Sequence, residues 1–226
     1  MQLLRVAQLG CSAQEGDNLQ EPSIVIVDYH MGNVGSIKNM LKYVGYSSVV
    51  SNDPSVIKSA SKLIIAGVGA FDAGIRNFEN LMPLVDEKVR KDQIPILGIC
   101  LGMQLFSKSS EEGVLPGFGW INAKTIRFDF RGADRKLRIP HMGWNSVTLK
   151  KKASKLFVDM PENPRFYFVH SYHYSDIPDE DVLTTTPYGN DFASAVEKEN
   201  IFGVQFHPEK SHKFGMKLLE NFAKMV

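Results

Sequence analysis

The stretch from Gln93 to Phe106 constrains this chain more than any other. Ile94 to Ile99 is a short apolar run that predicts a buried strand, and a sharp turn and a helix beginning near Leu101 follow it. Gly98 and Gly102 flank Cys100 in a G-x-C-x-G pattern, the cysteine counterpart of a G-x-S-x-G nucleophile elbow. A strand that turns at once into a helix pushes its middle residue into a strained, exposed position, and large neighbours would block the turn. The free N–H groups of the helix start then face the sulfur and favour a thiolate. A lone cysteine in an apolar run can equally be a small core residue, so the rest of the chain has to decide.

Around this stretch, strands and helices alternate. Ser23 to Tyr29 is a continuous β-branched run, the pattern of a strand buried on both faces of a parallel sheet. A turn over Gly32 to Ser36 leads to a helix from about Ile37 to Val44 that stops at Gly45. Val49 to Ser51 and Lys62 to Ala66 read as further strands, the latter ending in Gly67-Val68-Gly69-Ala70-Phe71. A helix over Asp72 to Arg90 then precedes the strand that leads to Cys100. The alternation predicts a doubly wound α/β sheet with right-handed crossovers. Ligands in such sheets sit at the carboxyl ends of the strands, where both the 67–69 turn and Cys100 fall.

From Gly113 to Ile201 the texture changes to short alternating runs: Trp120 to Phe128, Asn145 to Leu149, Arg165 to Tyr174 and Ala193 to Glu197. These predict an antiparallel extension covering one side of the sheet. The 131–136 and 150–152 segments read as solvated charged loops, and Phe214, Leu218 and Phe222 mark the packed face of a final helix over His212 to Met225.

A second chemical element stands near the end. Ile201 to His207 reads as a strand that closes in a histidine, with Pro208 fixing the backbone and Glu209 two residues on. A thiol nucleophile needs a base beside it and an acceptor that orients the base, and His207 and Glu209 can fill those places. A histidine at a strand end is often only a structural hydrogen-bonder; beside a cysteine elbow, catalysis becomes the stronger reading.

Composition narrows the classes that remain. At 226 residues and 43% hydrophobic, the chain can bury a full core as one domain. A net charge of +1 gives no electrostatic reason for nucleic acid or an anionic membrane, and no apolar run is long enough to span a bilayer. Two cysteines, Cys11 and Cys100, argue against a disulfide framework and fit a reducing cytoplasm. Met1 to Pro22 reads as a disordered extension, too polar for a signal peptide, in which Cys11 is given no role; the folded domain is expected over residues 23–226.

With these residues in place, the chain resembles the class I (triad) glutamine amidotransferases, and among them the glutaminase subunits of imidazole glycerol phosphate synthases. The resemblance runs from Ile24 to the end. Beyond the cysteine and His-Pro-Glu motifs it rests on Asp28 to Asn33, Gly67 to Phe71, Pro140 to Asn145 and Phe166 to Tyr172. It implies the flavodoxin-like α/β fold of that family, a mostly parallel central sheet with helices on both faces and a small antiparallel extension. It implies that Cys100 attacks the side-chain amide of glutamine, that His207 shuttles protons and that Glu209 orients it. Backbone N–H groups of Val68, Gly69 and Leu101 would hold the oxyanion. Gly67, Gln104, Ser171 and Tyr172 would bind the substrate, and Asn33, Tyr167 and Lys210 would face a synthase partner. That partner would be a cyclase with a (βα)₈ barrel, joined as a heterodimer, which uses the ammonia to make imidazole glycerol phosphate and aminoimidazole carboxamide ribonucleotide. Neither metal nor cofactor is expected.

Two positions depart from the family pattern: Ala66 replaces a proline before the oxyanion turn, and His30 stands where glycine is usual. The rival readings are an amidotransferase of the same architecture serving another synthase, such as one making amino sugars of a bacterial surface polysaccharide, a non-enzymatic scaffold subunit, and a free-standing cysteine hydrolase. Of the remaining candidates, His141 is expected in a buried loop packed by Trp144, His170 reads equally as structural or functional, and His173 and His212 are expected at the surface. Glu111 and Glu112 read as a solvated helix end, and Asp28 as the cap of the next turn.

Overall fold

A computed structural model describes residues 24–131 and 137–225. The extension over Met1 to Pro22 and most of the 131–136 loop lie outside the described residues.

The first half alternates as the sequence pattern requires. The elements are β1 (Ile24–Val27), α1 (Val34–Tyr43), β2 (Ser48–Ser51), α2 (Pro54–Lys58), β3 (Lys62–Gly67), α3 (Phe71–Phe78), α4 (Met82–Asp86), β4 (Ile96–Cys100) and α5 (Leu101–Leu105). The second half adds β5 (Ser109–Ser110), β6 (Lys124–Arg127), β7 (His141–Ser146), β8 (Thr148–Leu149), β9 (Arg165–His170), β10 (Tyr172–Ser175), β11 (Val182–Tyr188), β12 (Asn190–Lys198), β13 (Ile201–Val204) and α6 (His212–Lys224).

The main sheet runs in the order β2-β1-β3-β4-β13-β12-β10-β6-β5, with β11 paired to β12 and β8 to β11. From β2 through β13 the pairing is parallel, and β12, β10 and β6 continue it antiparallel. β7 and β9 form a separate antiparallel pair. β1, β3 and β4 are buried along their whole length, the burial that their uninterrupted apolar runs specify. Two apolar layers result, one on each face. One gathers Leu41, Phe166, Phe206, Leu218 and Phe222, the other Phe71, Phe78, Leu101, Phe106 and Trp120. Among the described residues no helix is long and apolar enough to cross a membrane.

Several expected elements are redrawn. The single helix over Asp72 to Arg90 breaks after Phe78; Pro83 opens a new helix, which continues as a wider π-turn over Glu87–Lys91. The run from Arg165 to Tyr174 divides at Ser171 into β9 and β10, which belong to different sheets. The strand toward His207 ends at Val204, and the histidine is held by one further bridge to Tyr167. α2 and β11 had no visible sequence signal; α2 is a short helix opened by Asp53, whose carboxylate accepts the Ser55 N–H at 2.8 Å.

Candidate active site

β4 delivers Cys100 to the carboxyl edge of the sheet, where the chain turns directly into α5. The turn forces Cys100 to φ 54° and ψ −110°, a backbone conformation that residues with a side chain rarely adopt. The two flanking glycines are required by space. A Cβ on Gly98 would stand 2.6 Å from the Phe106 ring and 2.8 Å from the Met103 nitrogen. One on Gly102 would stand 2.7 Å from the Ile65 carbonyl carbon on β3, with the carbonyl oxygen closer still. The elbow therefore exists because α5 lies against the backbone of β3 and its own strand.

His207 arrives from the neighbouring strand. Parallel pairing of β13 with β4 places Val204 opposite Ile99, so the chain beyond β13 comes out beside Cys100. The His207 backbone is gripped on both sides. Its N–H donates to the Tyr167 carbonyl at 2.9 Å, and its carbonyl accepts from the Ser211 hydroxyl at 2.6 Å. Its Nδ1 meets Glu209 Oε1 at 2.7 Å, with both side chains almost wholly buried. Nε2 is buried without a hydrogen-bond partner. Burial pushes the imidazole pKa down, but the nearby Cys100 sulfur and the hydrogen bond and charge of Glu209 outweigh it and raise the pKa to about 9. His207 is thus the proton-carrying member of a Cys–His–Glu array at neutral pH.

In front of the sulfur opens a cleft of about 360 Å³, the size of a small metabolite. Val68 and Gly69 form one wall, Cys100, Leu101 and Gln104 the floor, and Val169 to Tyr172 the other side. Gly69 sits at φ +123° and Val68 is half exposed, so this turn projects into the opening. Gly67 does not line the cleft; it is buried behind the turn, where a side chain would collide with the Tyr29 hydroxyl. A wider groove of about 770 Å³ between α3, α4 and residues 115–118 shares no lining residue with the cleft.

Sequence reasoning missed some of the lining. Glu112 supplies a carboxylate to the cleft, and Glu111 and Glu112 are not a solvated helix end: α5 has stopped at Leu105. Glu112 accepts the Phe71 N–H at 2.9 Å, and Glu111 accepts the Arg127 N–H at 2.8 Å, so both serve as backbone acceptors between segments distant in sequence. No local pattern announces that. His170 also lines the cleft, and its Nδ1 donates to the Tyr172 carbonyl at 2.7 Å. Its Nε2 meets His141 Nδ1 at 3.0 Å. Burial pushes both imidazoles down, to about 3 for His170 and about 4 for His141, so the pair is neutral. His141 begins a strand rather than sitting in a loop, and Trp144 packs on His212 instead. His173 is half-buried and stacks on Phe128 at 4.4 Å, whereas His212 is exposed.

The partner-facing candidates fall on one side of this array. The Lys210 ammonium stands 5.9 Å from the Tyr167 ring centroid, and α1, whose first turn Asn33 caps, packs against the 208–210 turn. Trp144 and Met142 are exposed on the adjoining β7. Of the two departures, His30 lies at φ 62°, the left-handed region in which glycine is the usual residue, and its N–H donates to Asp28 Oδ1 at 3.0 Å. Ala66 is held opposite Ile99 in the ladder.

Comparison with known proteins follows the same lines. The model of the family described as glutamine amidotransferase class-I matches residues 25–226. Imidazole glycerol phosphate synthase subunit HisH 2 of Methanococcus maripaludis is 54% identical over 205 residues, covering 90% of this chain and 100% of its own length. HisH 2 of Pseudomonas aeruginosa is 45% identical with the same coverage, and HisH of Leptospira interrogans 41% identical over 89% of this chain and 100% of its own. Among solved structures, PurLQS from Thermotoga maritima superposes with a TM-score of 0.65 at 18% identity, over 89% of this chain and 97% of its own. A glutamine amidotransferase from the same organism gives 0.60 at 18% identity, over 84% and 76%. At such identities these structures speak for the fold alone.

Proposed function

Since this chain belongs to the class I glutamine amidotransferase family, we propose that it is the glutaminase subunit of an imidazole glycerol phosphate synthase, releasing ammonia from glutamine for histidine biosynthesis. The observation that carries the chemistry is His207, buried with its Nδ1 held by Glu209 and its pKa raised to about 9, behind a small cleft that Cys100 lines.

In this reading the Cys100 sulfur, its proton on His207, attacks the side-chain amide carbon of glutamine. The C–O π electrons move onto oxygen, which the backbone N–H groups of Leu101 and of the Val68-Gly69 turn receive. Each such donor contributes about 3 kcal/mol at a developing oxyanion. The tetrahedral centre collapses to a glutamyl thioester, the C–N bond breaks, and the leaving nitrogen takes its proton from His207 to depart as ammonia. Neutral His207 then draws a proton from water, which cleaves the thioester to glutamate and restores the thiol. Glu209 holds the ring and balances its charge. The thiol and imidazole suffice for amide hydrolysis, so no cofactor enters the scheme.

Glutamine binding would draw on Gln104 and on the backbone of Ser171 and Tyr172, with the Glu112 carboxylate matched to the α-ammonium. Gly67 acts by keeping the turn against Tyr29. The working unit would span residues 23–226 and act in the cytoplasm. Asn33, Tyr167 and Lys210 would meet a cyclase subunit in a heterodimer, and ammonia would pass through its (βα)₈ barrel. The lyase step belongs to that partner and not to this chain.

The test is glutamate release from glutamine by the purified chain, alone and with a cyclase subunit plus its nucleotide substrate. Strong stimulation by the pair, lost in Cys100→Ala with the fold intact, is the expected result. Cys100 that is alkylated by a glutamine analogue without any stimulation would mean that another synthase receives the ammonia. Wild-type release by Cys100→Ala would end the nucleophile assignment.

A further inference from the structure

Gln205 follows β13 and is fully buried at 0% exposure. Its neighbours decide which way its amide points. Gln104 Nε2 stands 3.3 Å from the Tyr172 carbonyl oxygen and 3.1 Å from Gln205 Oε1. A backbone carbonyl only accepts, so Gln104 must present its NH₂ group to Tyr172. The second N–H of that group reaches Gln205, and the Gln205 atom facing it has to be the oxygen. With Oε1 committed, Nε2 of Gln205 faces Cys100 Sγ at 3.7 Å. The sulfur has a different neighbour in the Val169 carbonyl at 3.9 Å, which accepts from the neutral thiol. Once the thiol proton has moved to His207, that carbonyl turns its negative end toward the thiolate. The Gln205 N–H gains at the same moment, because a donor to an ionised acceptor is about twice as strong as a donor to a neutral one.

We propose that Gln205 is a further catalytic residue, whose side-chain N–H, oriented by Gln104 and the Tyr172 carbonyl, donates to the Cys100 thiolate. The inference rests on Cys100 being the nucleophile. The S–H bond breaks with its proton going to His207 Nε2, and the electron pair stays on sulfur until it forms the bond to the amide carbon. Gln205 holds that pair in the interval. Gln104, which lines the cleft, thereby links substrate contact to the state of the sulfur through one amide.

The test is alkylation of Cys100 by iodoacetamide, followed by mass spectrometry of its peptide so that Cys11 does not interfere. Gln205→Leu removes the donor at similar volume. Alkylation at neutral pH is expected to slow about tenfold against wild type. The other titratable groups facing the sulfur are His207 with Glu209, Tyr29, whose phenol burial keeps neutral, and neutral His170. They are common to both proteins, so the difference isolates Gln205. A residue that merely braces Gln104 would weaken glutamine binding and leave alkylation, which needs no glutamine, at the wild-type rate; that result overturns the proposal.

A second measurement needs no folded Gln205 variant. In the wild-type chain, one Gln205 side-chain amide proton is expected to move in the NMR spectrum as Cys100 ionises, and to stay still in Cys100→Ala. A resonance indifferent to the thiol also overturns the proposal. Normal Cys100 chemistry in a chain that never hydrolyses glutamine, with or without a cyclase, would instead sink the glutaminase reading and leave the Gln205 measurement valid.

Discussion

Replacing Gly102 by alanine tests the elbow at its tightest point. The new Cβ would stand 2.7 Å from the Ile65 carbonyl carbon, and ordinary contact begins at 3.4 Å, so α5 must withdraw from β3 by at least 0.7 Å. Clearing the carbonyl oxygen demands more. Neither partner is a side chain that can rotate away, so the strain enters the backbone. Overpacking of this kind costs about 3 kcal/mol at the upper end, and the better helix propensity of alanine returns about 1 kcal/mol, leaving roughly 2 kcal/mol of destabilisation. For a chain of this size that lowers Tm by roughly 4–8 °C. The functional loss should be larger in proportion. α5 begins at Leu101, directly after Cys100, so its withdrawal moves the proposed nucleophile and the N–H proposed to receive the oxyanion together. A misplacement near 1 Å costs on the order of 100-fold in turnover. The assay is thermal unfolding beside glutamate release. Gly35→Ala is the control: its Cβ finds only Asn33 Oδ1 at 3.7 Å within α1, so the change should be neutral or stabilise by up to about 1 kcal/mol. A Gly102→Ala protein with wild-type Tm and turnover would refute the claim that close approach of α5 to β3 builds the elbow.

Other perturbations address the charged array. Glu209→Gln should reduce turnover much less than His207→Asn, since orientation contributes less than proton transfer, which supplies about 10²–10⁴-fold; equal losses in kcat would count against that division. His207 is held at about 9, above its unfolded value of 6.5, so the stability it contributes is complete below pH 6.5 and is lost as pH rises toward 9. The Tm advantage of wild type over His207→Asn should therefore shrink across that interval, and a constant advantage would contradict the raised pKa. His141 and His170 have the opposite sign. Held at about 4 and about 3, they leave the unfolded chain binding more protons below pH 6.5, so stability should fall on acidification through that range. His170→Gln should flatten the acid limb of a Tm-against-pH curve, and an unchanged limb would show that the pair does not drive it.

Where sequence reasoning succeeded and where it failed divides along the range of the interaction involved. The strand–turn–helix at Cys100 was legible because each part is local: an apolar run, two glycines that a tight turn requires, and a helix start. His207 and Glu209 were legible for the same reason, two residues apart with a proline fixing the step between them. Uninterrupted apolar runs likewise declared β1 as a strand buried on both faces and β4 as a buried strand, and marked β3 as a strand. The break after Phe78 was missed because helical periodicity carries across it, although Pro83 was in view.

What the sequence left open depended on contacts between segments far apart in the chain. Glu112 looks like any exposed acid until the Phe71 N–H is brought to it across 41 positions. Gln205 looks like the polar end of a strand until Gln104 and Cys100, about a hundred residues earlier, close around its amide. The direction of that amide, the neutrality of the His141–His170 pair and the proton on His207 all follow from burial and from partners that only chain folding supplies. Local sterics and hydrophobic periodicity act within a few residues and can be read from the chain. Hydrogen-bond satisfaction in a low-dielectric interior is a property of the assembled site, and the tertiary structure alone decides it.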